Sequence, residues 1–125
     1  MNIAFASSDG ETVDQHFGWS KQFYLFKVEE QAFELLEVID SSEEPEGEQE
    51  KLNYKIGTIA DADIMYCTQI GPTASKMVQS AGIHPVRVAE GERIADAISS
   101  LQAMLAENPP LWLLRIFHKA GSRSA

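Results

Sequence analysis

One cysteine and three histidines are all that the 125-residue chain offers by way of soft metal ligands. A single cysteine excludes an internal disulfide, a four-cysteine zinc site and a self-contained ferredoxin-type cluster, which takes four thiolates. It suits a reducing compartment. Long apolar runs are also missing. No stretch approaches the eighteen or so residues of a spanning helix. The opening MNIAFASSDG lacks the basic leader and apolar run of a secretion signal. The expectation is a soluble cytoplasmic protein with no membrane partner. Basic residues are few as well, ten against nineteen acids, for a net charge of −9. A phosphate backbone needs a basic patch, so no nucleic-acid partner is expected.

The acidity is local. Residues 29–50 hold ten acids and no base, which leaves nine acids against ten bases elsewhere. The near-neutral remainder can accept a small anionic ligand. The acid run itself reads either as a solvated hairpin edge or as a docking surface facing a basic partner. The length fits one domain with a core of its own. We assign residues 1–108 to that domain and residues 109–125 to a C-terminal tail. The tail, rich in apolar residues at 111–117, either caps the core as a short helix or presents a patch to a partner.

Apolar periodicity predicts alternating strands and helices. Residues 2–7, 22–28 and 33–39 read as three strands. Phe23 and Leu25 are expected on one face of the second, Tyr24 and Phe26 on the other. Leu52, Ile56, Ile59 and Ala60 recur at helical spacing. Residues 63–68 read as a strand buried on both faces. Gly71-Pro72-Thr73 opens a helix, with Thr73 at a cap position and Gly82 as its stop. Residues 84–89 make a fifth strand, and Ile94, Ile98, Leu101 and Leu105 mark a third helix. The order βββαβαβα implies a five-stranded mixed α/β sheet flanked by helices. Ligands of such sheets sit outside the carboxyl ends of the parallel strands.

Two loops at those ends can carry chemistry. The first, residues 8–19, contains Asp9, Gly10, His16, Phe17 and Gly18, with Phe17 and Trp19 expected as anchors. A neutral imidazole such as His16 is a good iron ligand, although a lone loop histidine is more often a surface residue. Asp9, Glu11 and Asp14 can hold a hard cation, although an acidic loop exists without one. The second loop, residues 68–73, ends at the helix start of Gly71 and Thr73, where free N–H groups and the helix dipole favour an anion. Cys67 reads as a small buried hydrophobe. His84 falls at the opposite end of the sheet, where a structural role is expected.

Residues 7–10 (SSDG) through 13–18 (VDQHFG), followed by Phe23-Tyr24, closely resemble the opening of the dinitrogenase iron–molybdenum cofactor biosynthesis family. Residues 82–86 (GIHPV) with 94–96 (IAD) resemble it too, and the ending PPLWL resembles its NifX-like branch. The resemblance implies a ribonuclease H-like sheet and a non-enzymatic role in nitrogenase cofactor assembly. It implies a cargo: an iron–sulfur precursor made by NifB, or the finished iron–molybdenum cofactor. The implied partners are the cofactor scaffold and the precursor-synthesising protein. His16 matches the family's cofactor-binding histidine, so the expected metal ligand is His16. Asp9, Gly10, Phe17, Gly18, Gly71 and Thr73 are the expected surroundings, with Lys21 or Arg87 offsetting cargo charge. Two other classes stand beside this reading. One is an adaptor that docks to the scaffold without holding a cluster. The other is a metal-dependent nuclease, which the first strand disfavours because it offers Ile3 and Phe5 rather than carboxylates.

Overall fold

The computed structural model describes residues 1–124; Ala125, the last residue of the tail, lies outside the described residues. Five strands form the main sheet: β1 (Asn2–Ala6), β3 (Gln22–Val28), β4 (Phe33–Asp40), β5 (Ile64–Cys67) and β6 (His84–Arg87), in the spatial order β4-β3-β1-β5-β6. Strand β1 runs antiparallel to β3 and parallel to β5, and β5 is parallel to β6. Two further strands of two residues each, β2 (Thr12–Val13) and β7 (Glu92–Arg93), pair antiparallel as a small second sheet. These short strands lie outside the eight-element order read from the sequence. Four helices complete the chain: α1 (Glu48–Thr58), α2 (Pro72–Ser80), α3 (Ile94–Glu107) and α4 (Leu111–Ser124).

The period-two alternation divides the core into two layers. On one face Ile3, Phe5, Phe26, Ile64 and Tyr66 pack with Ile98 and Leu101 of α3 and with Leu113 of α4. Phe5 meets Phe26 edge-on at 5.6 Å and stacks on Tyr66 at 4.9 Å. Such pairs are worth about 0.5–1.5 kcal/mol each beyond the area they bury. On the other face Ala4 and Ala6 leave room for Phe17, Phe23 and Leu25, which pack with Ile59 and with Ala74 and Val78 of α2. Phe23 and Leu25 therefore oppose Tyr24 and Phe26, as the alternation requires. All four residues of β5 are buried.

Two boundary expectations change. Gly71, not Thr73, is the N-cap of α2, and Pro72 takes the first helical position. Proline's fixed φ and missing N–H suit that place, which puts Thr73 inside the first turn. The tail is no short element, since α4 runs for 14 residues. Leu113 and Ala120 are buried in the core, and Trp112 and Ile116 pack against it. His84 stacks face to face on Trp112, centroids 4.0 Å apart, and so braces this helix against the end of the sheet remote from the loop of residues 8–19. Burial also lowers the pKa of His84, because the charged imidazolium loses solvation there. Among the described residues no helix is long and apolar enough to cross a membrane.

Candidate functional site

The loop after β1 is braced by its own side chains. Asp9 Oδ1 accepts the backbone N–H groups of Glu11 at 2.8 Å and Thr12 at 2.9 Å, and the Ser7 hydroxyl donates to it at 3.1 Å. The two backbone donors hold the Asp9 carboxyl down at about 2, since they favour its charged form. Asp14 accepts the backbone N–H of Ser8 at 2.9 Å and also its hydroxyl. Gly10 has φ +77°, and a Cβ there would come within 2.6 Å of the Tyr24 ring, so the tight turn needs glycine. Among the described residues no group of three or more His, Cys, Asp and Glu side chains is placed to hold a metal ion. Asp9 and Asp14 shape the turn instead of forming the hard-cation site that the sequence suggested.

Beyond this turn the chain runs alongside the carboxyl end of β5. Thr68 N–H donates to the Gln15 carbonyl at 3.0 Å, and Phe17 N–H donates to the Gln69 carbonyl at 2.9 Å. On the far side of the same segment, Val88 N–H donates to the Cys67 carbonyl at 3.0 Å. Thr68 and Gln69 thus lie between residues 15–17 and the end of β6. Phe17, fully buried against Phe23, anchors the loop. A single 3₁₀ turn over Phe17–Trp19 follows, and the His16 carbonyl accepts from Trp19 and Ser20 N–H. Trp19 is no anchor. It is 69% exposed and lies flat on His16.

His16 lines an open concavity of about 440 Å³ with Thr68, Gln69, Arg87, Val88, Ala89 and Glu90. Trp19 borders a neighbouring one of about 310 Å³, shared with Ser7, Ser8, Gln15, Lys21 and Gln22. The two cations expected to offset cargo charge therefore fall in different concavities, Arg87 with His16 and Lys21 with Trp19. Asp9, Gly10, Gly71 and Thr73 line neither. The wall opposite His16 comes from residues 87–90, because parallel pairing of β5 with β6 brings those carboxyl ends together. Meanwhile Ile70 packs into the α2-side core and carries the helix start away. Gly18 and Gly71 both have open space where a Cβ would be, so chain packing does not demand glycine at either.

Thr68 falls within the loop of residues 68–73, but sequence reasoning does not single it out. It is 6% exposed, and its Oγ1 has no hydrogen-bond partner among the described residues. An unsatisfied buried hydroxyl costs about 1–3 kcal/mol and calls for an explanation such as a ligand. No sequence signal marks it, because a threonine at a strand end is ordinary. Cys67 is fully buried, and burial pushes its thiol up to about 11 despite the opposing pull of Arg87. It is thus a protonated thiol near neutral pH, a poor soft ligand.

The chain's relatives agree with this architecture. Residues 1–104 match the family model described as dinitrogenase iron-molybdenum cofactor. The chain is 38% identical to protein NifX of Azotobacter vinelandii, over 95% of this chain and 76% of that protein. It is 30% identical to protein NifX of Sinorhizobium fredii, over 97% and 80% respectively. The solved structure of PH0822 superposes with a TM-score of 0.65 at 29% identity, covering 82% of this chain and 89% of that one. On the family match and these relatives, the chain belongs to the dinitrogenase iron–molybdenum cofactor family.

Proposed function

We propose that this protein binds a preassembled iron–sulfur cluster during nitrogenase cofactor assembly and passes it on, with His16 as the protein ligand to iron. The role is binding, not catalysis. The observation that carries the reading is the concavity in which a stacked, half-buried imidazole sits with a guanidinium and an orphaned buried hydroxyl. These groups fit an anionic cluster that arrives with its own sulfides. A neutral imidazole supplies one bond to iron, Arg87 offsets charge, and the Thr68 hydroxyl donates a hydrogen bond. One protein ligand also allows release, which a carrier requires. Gly18, beside His16, leaves space for close approach.

Membership of the family supports a cargo on the path to the iron–molybdenum cofactor, either a precursor or the finished cofactor. The partners that follow are the protein that makes the precursor and the scaffold that receives the cluster. Residues 1–108 form the binding domain on this reading, with α4 as its clasp. The sheet is ribonuclease H-like. Counting the five main strands along the chain gives the spatial order 3-2-1-4-5, with the second strand antiparallel to the first. A nuclease reading lacks support from that sheet, since the central strand β1 presents Ile3 and Phe5 on one face and Ala4 and Ala6 on the other.

Anaerobic titration of the protein and of His16→Ala with the isolated precursor cluster, followed by visible absorption and iron content, tests the proposal. The expected result is uptake by the parent and loss of most affinity in the variant. Equal affinity removes His16 from the ligand role. No uptake by the parent leaves the adaptor reading, in which scaffold capture survives His16→Ala.

A further inference from the structure

Strand β4 forms one edge of the main sheet, and its surface is unlike the rest of the molecule. Among the described residues seven large apolar side chains are exposed, and four of them, Phe33, Leu35, Leu36 and Val38, lie on this strand at 45–50% exposure. A shift in register between Leu25 and Phe26 sorts them. Phe33 pairs with Val28, Leu35 with Phe26 and Val38 with Tyr24, so all three share the face that α3 and α4 cover elsewhere. Glu34 pairs with Lys27 and Glu37 with Leu25, which puts both carboxylates on the opposite face. Leu36 is the extra residue of the bulge. Without this bulge Glu37 would fall in line with Phe33 and Leu35. Over residues 33–38 the edge is apolar on one side and acidic on the other, and only at the strand's end do Ile39 and Asp40 depart from that pattern.

Acids and bulges on an edge strand ordinarily discourage unwanted pairing. They do not account for four large apolar side chains left half in water. A second copy of the chain is a poor occupant, because it would bring Glu34, Glu37 and Asp40 against an equally acidic strand. The charge pattern specifies a different occupant. We infer that β4 is the docking edge for an extended segment of another protein in which apolar residues alternate with lysine or arginine. Added as a sixth strand, such a segment sets its apolar side chains beside Phe33, Leu35 and Val38 and its cations beside Glu34 and Glu37. Main-chain hydrogen bonds supply affinity and the alternation supplies selectivity. The His16 concavity borders the end of β6, at the opposite edge of the sheet, so both sites can be filled together.

The test titrates the full chain with an alternating Val–Lys octapeptide while following backbone amide resonances. A Val–Glu octapeptide and a Val–Lys octapeptide carrying two prolines serve as comparisons. The expected result is shifts centred on residues 33–40 with the Val–Lys peptide alone. The charge-reversed variant Glu34→Lys with Glu37→Lys should bind the Val–Lys peptide about tenfold more weakly and gain binding to the Val–Glu peptide. An unchanged far-UV spectrum shows that this surface variant is folded. Equal binding of the proline-containing peptide reduces the interaction to plain charge attraction and overturns the inference. So do shifts that avoid β4, or self-association of the chain through that strand.

Discussion

The imidazole of His16 lies flat on the indole of Trp19, their centroids 4.1 Å apart and their planes 4° from parallel. The same residues are joined through the backbone, since Trp19 N–H donates to the His16 carbonyl at 3.1 Å. A stack and a turn thus fix one ring from two directions. Trp19 buries little of its own surface in doing so, and its exposure makes sense as the cost of orienting a ligand. Trp19→Ala should weaken cluster binding about threefold to tenfold, the equivalent of one aromatic stack. Trp19→Phe should fall between the variant and the parent. Thermal unfolding should hardly change for either. Anaerobic titration measures the affinities, and equal affinities would show that the stack positions nothing.

Thr68 makes the opposite kind of prediction, in which binding and stability separate. Its Oγ1 is buried without a partner, so Thr68→Val removes an uncompensated polar atom while keeping the β-branched shape. The variant should be as stable as the parent or up to about 1 kcal/mol more stable in urea unfolding. If the hydroxyl serves the cargo, the same variant should bind the cluster several-fold more weakly. A variant that loses stability shows instead that the hydroxyl has a structural partner.

Asp9 gives a prediction in pH. Its carboxyl is held at about 2 in the folded chain, against an ordinary value of 3.8. A depressed carboxylate stabilises the fold fully above the unfolded value, and that contribution is lost as pH falls through the folded one. The turn over residues 7–12 should therefore loosen between about pH 4 and pH 2. Protection of the Glu11 and Thr12 amides, the donors to Asp9, measured against the intrinsic exchange rate at each pH, should fall across that window. In Asp9→Asn their protection should show no such dependence, because the amide does not titrate.

How much of this was legible in the sequence follows from the range of the forces involved. The alternation in residues 22–28 and the helical spacing of Ile94, Ile98 and Leu101 are local patterns, and they located β3 and α3. The irregular polar stretch around His16 was equally visible. The loop of residues 68–73 and Arg87 were legible as neighbours, but which of their side chains meet His16 was not. Thr68 and Arg87 approach His16 only through the pairing of β5 with β6 and through two backbone hydrogen bonds from the loop. Trp19 is not the anchor that its large apolar ring suggests. Here Phe17 takes the interior and leaves Trp19 outside. The apolar side of β4 was hidden too, because it depends on a one-residue bulge that no periodicity reveals.

Lys55 is the remaining residue whose environment contradicts its sequence setting. A lysine ordinarily keeps its ammonium in water, yet Lys55 is 3% exposed. Its Nζ donates to the Ser41 carbonyl at 3.0 Å and to the Ser20 carbonyl. Ser20 closes the 3₁₀ turn that begins after His16, and Ser41 follows β4. One ammonium therefore ties the end of the histidine loop to the start of the acidic loop. Burial lowers its pKa, and neighbouring Lys51 lowers it further. Lys55→Met keeps the length of the stem but abandons two carbonyls, at about 1–3 kcal/mol for each buried group left unpaired. Urea unfolding should show a loss of roughly 2–4 kcal/mol. Amide exchange at Trp19 and Ser20 should rise more than exchange in α3, which packs on the other face of the sheet. A uniform rise would mean that Lys55 supports the whole core and not the histidine loop.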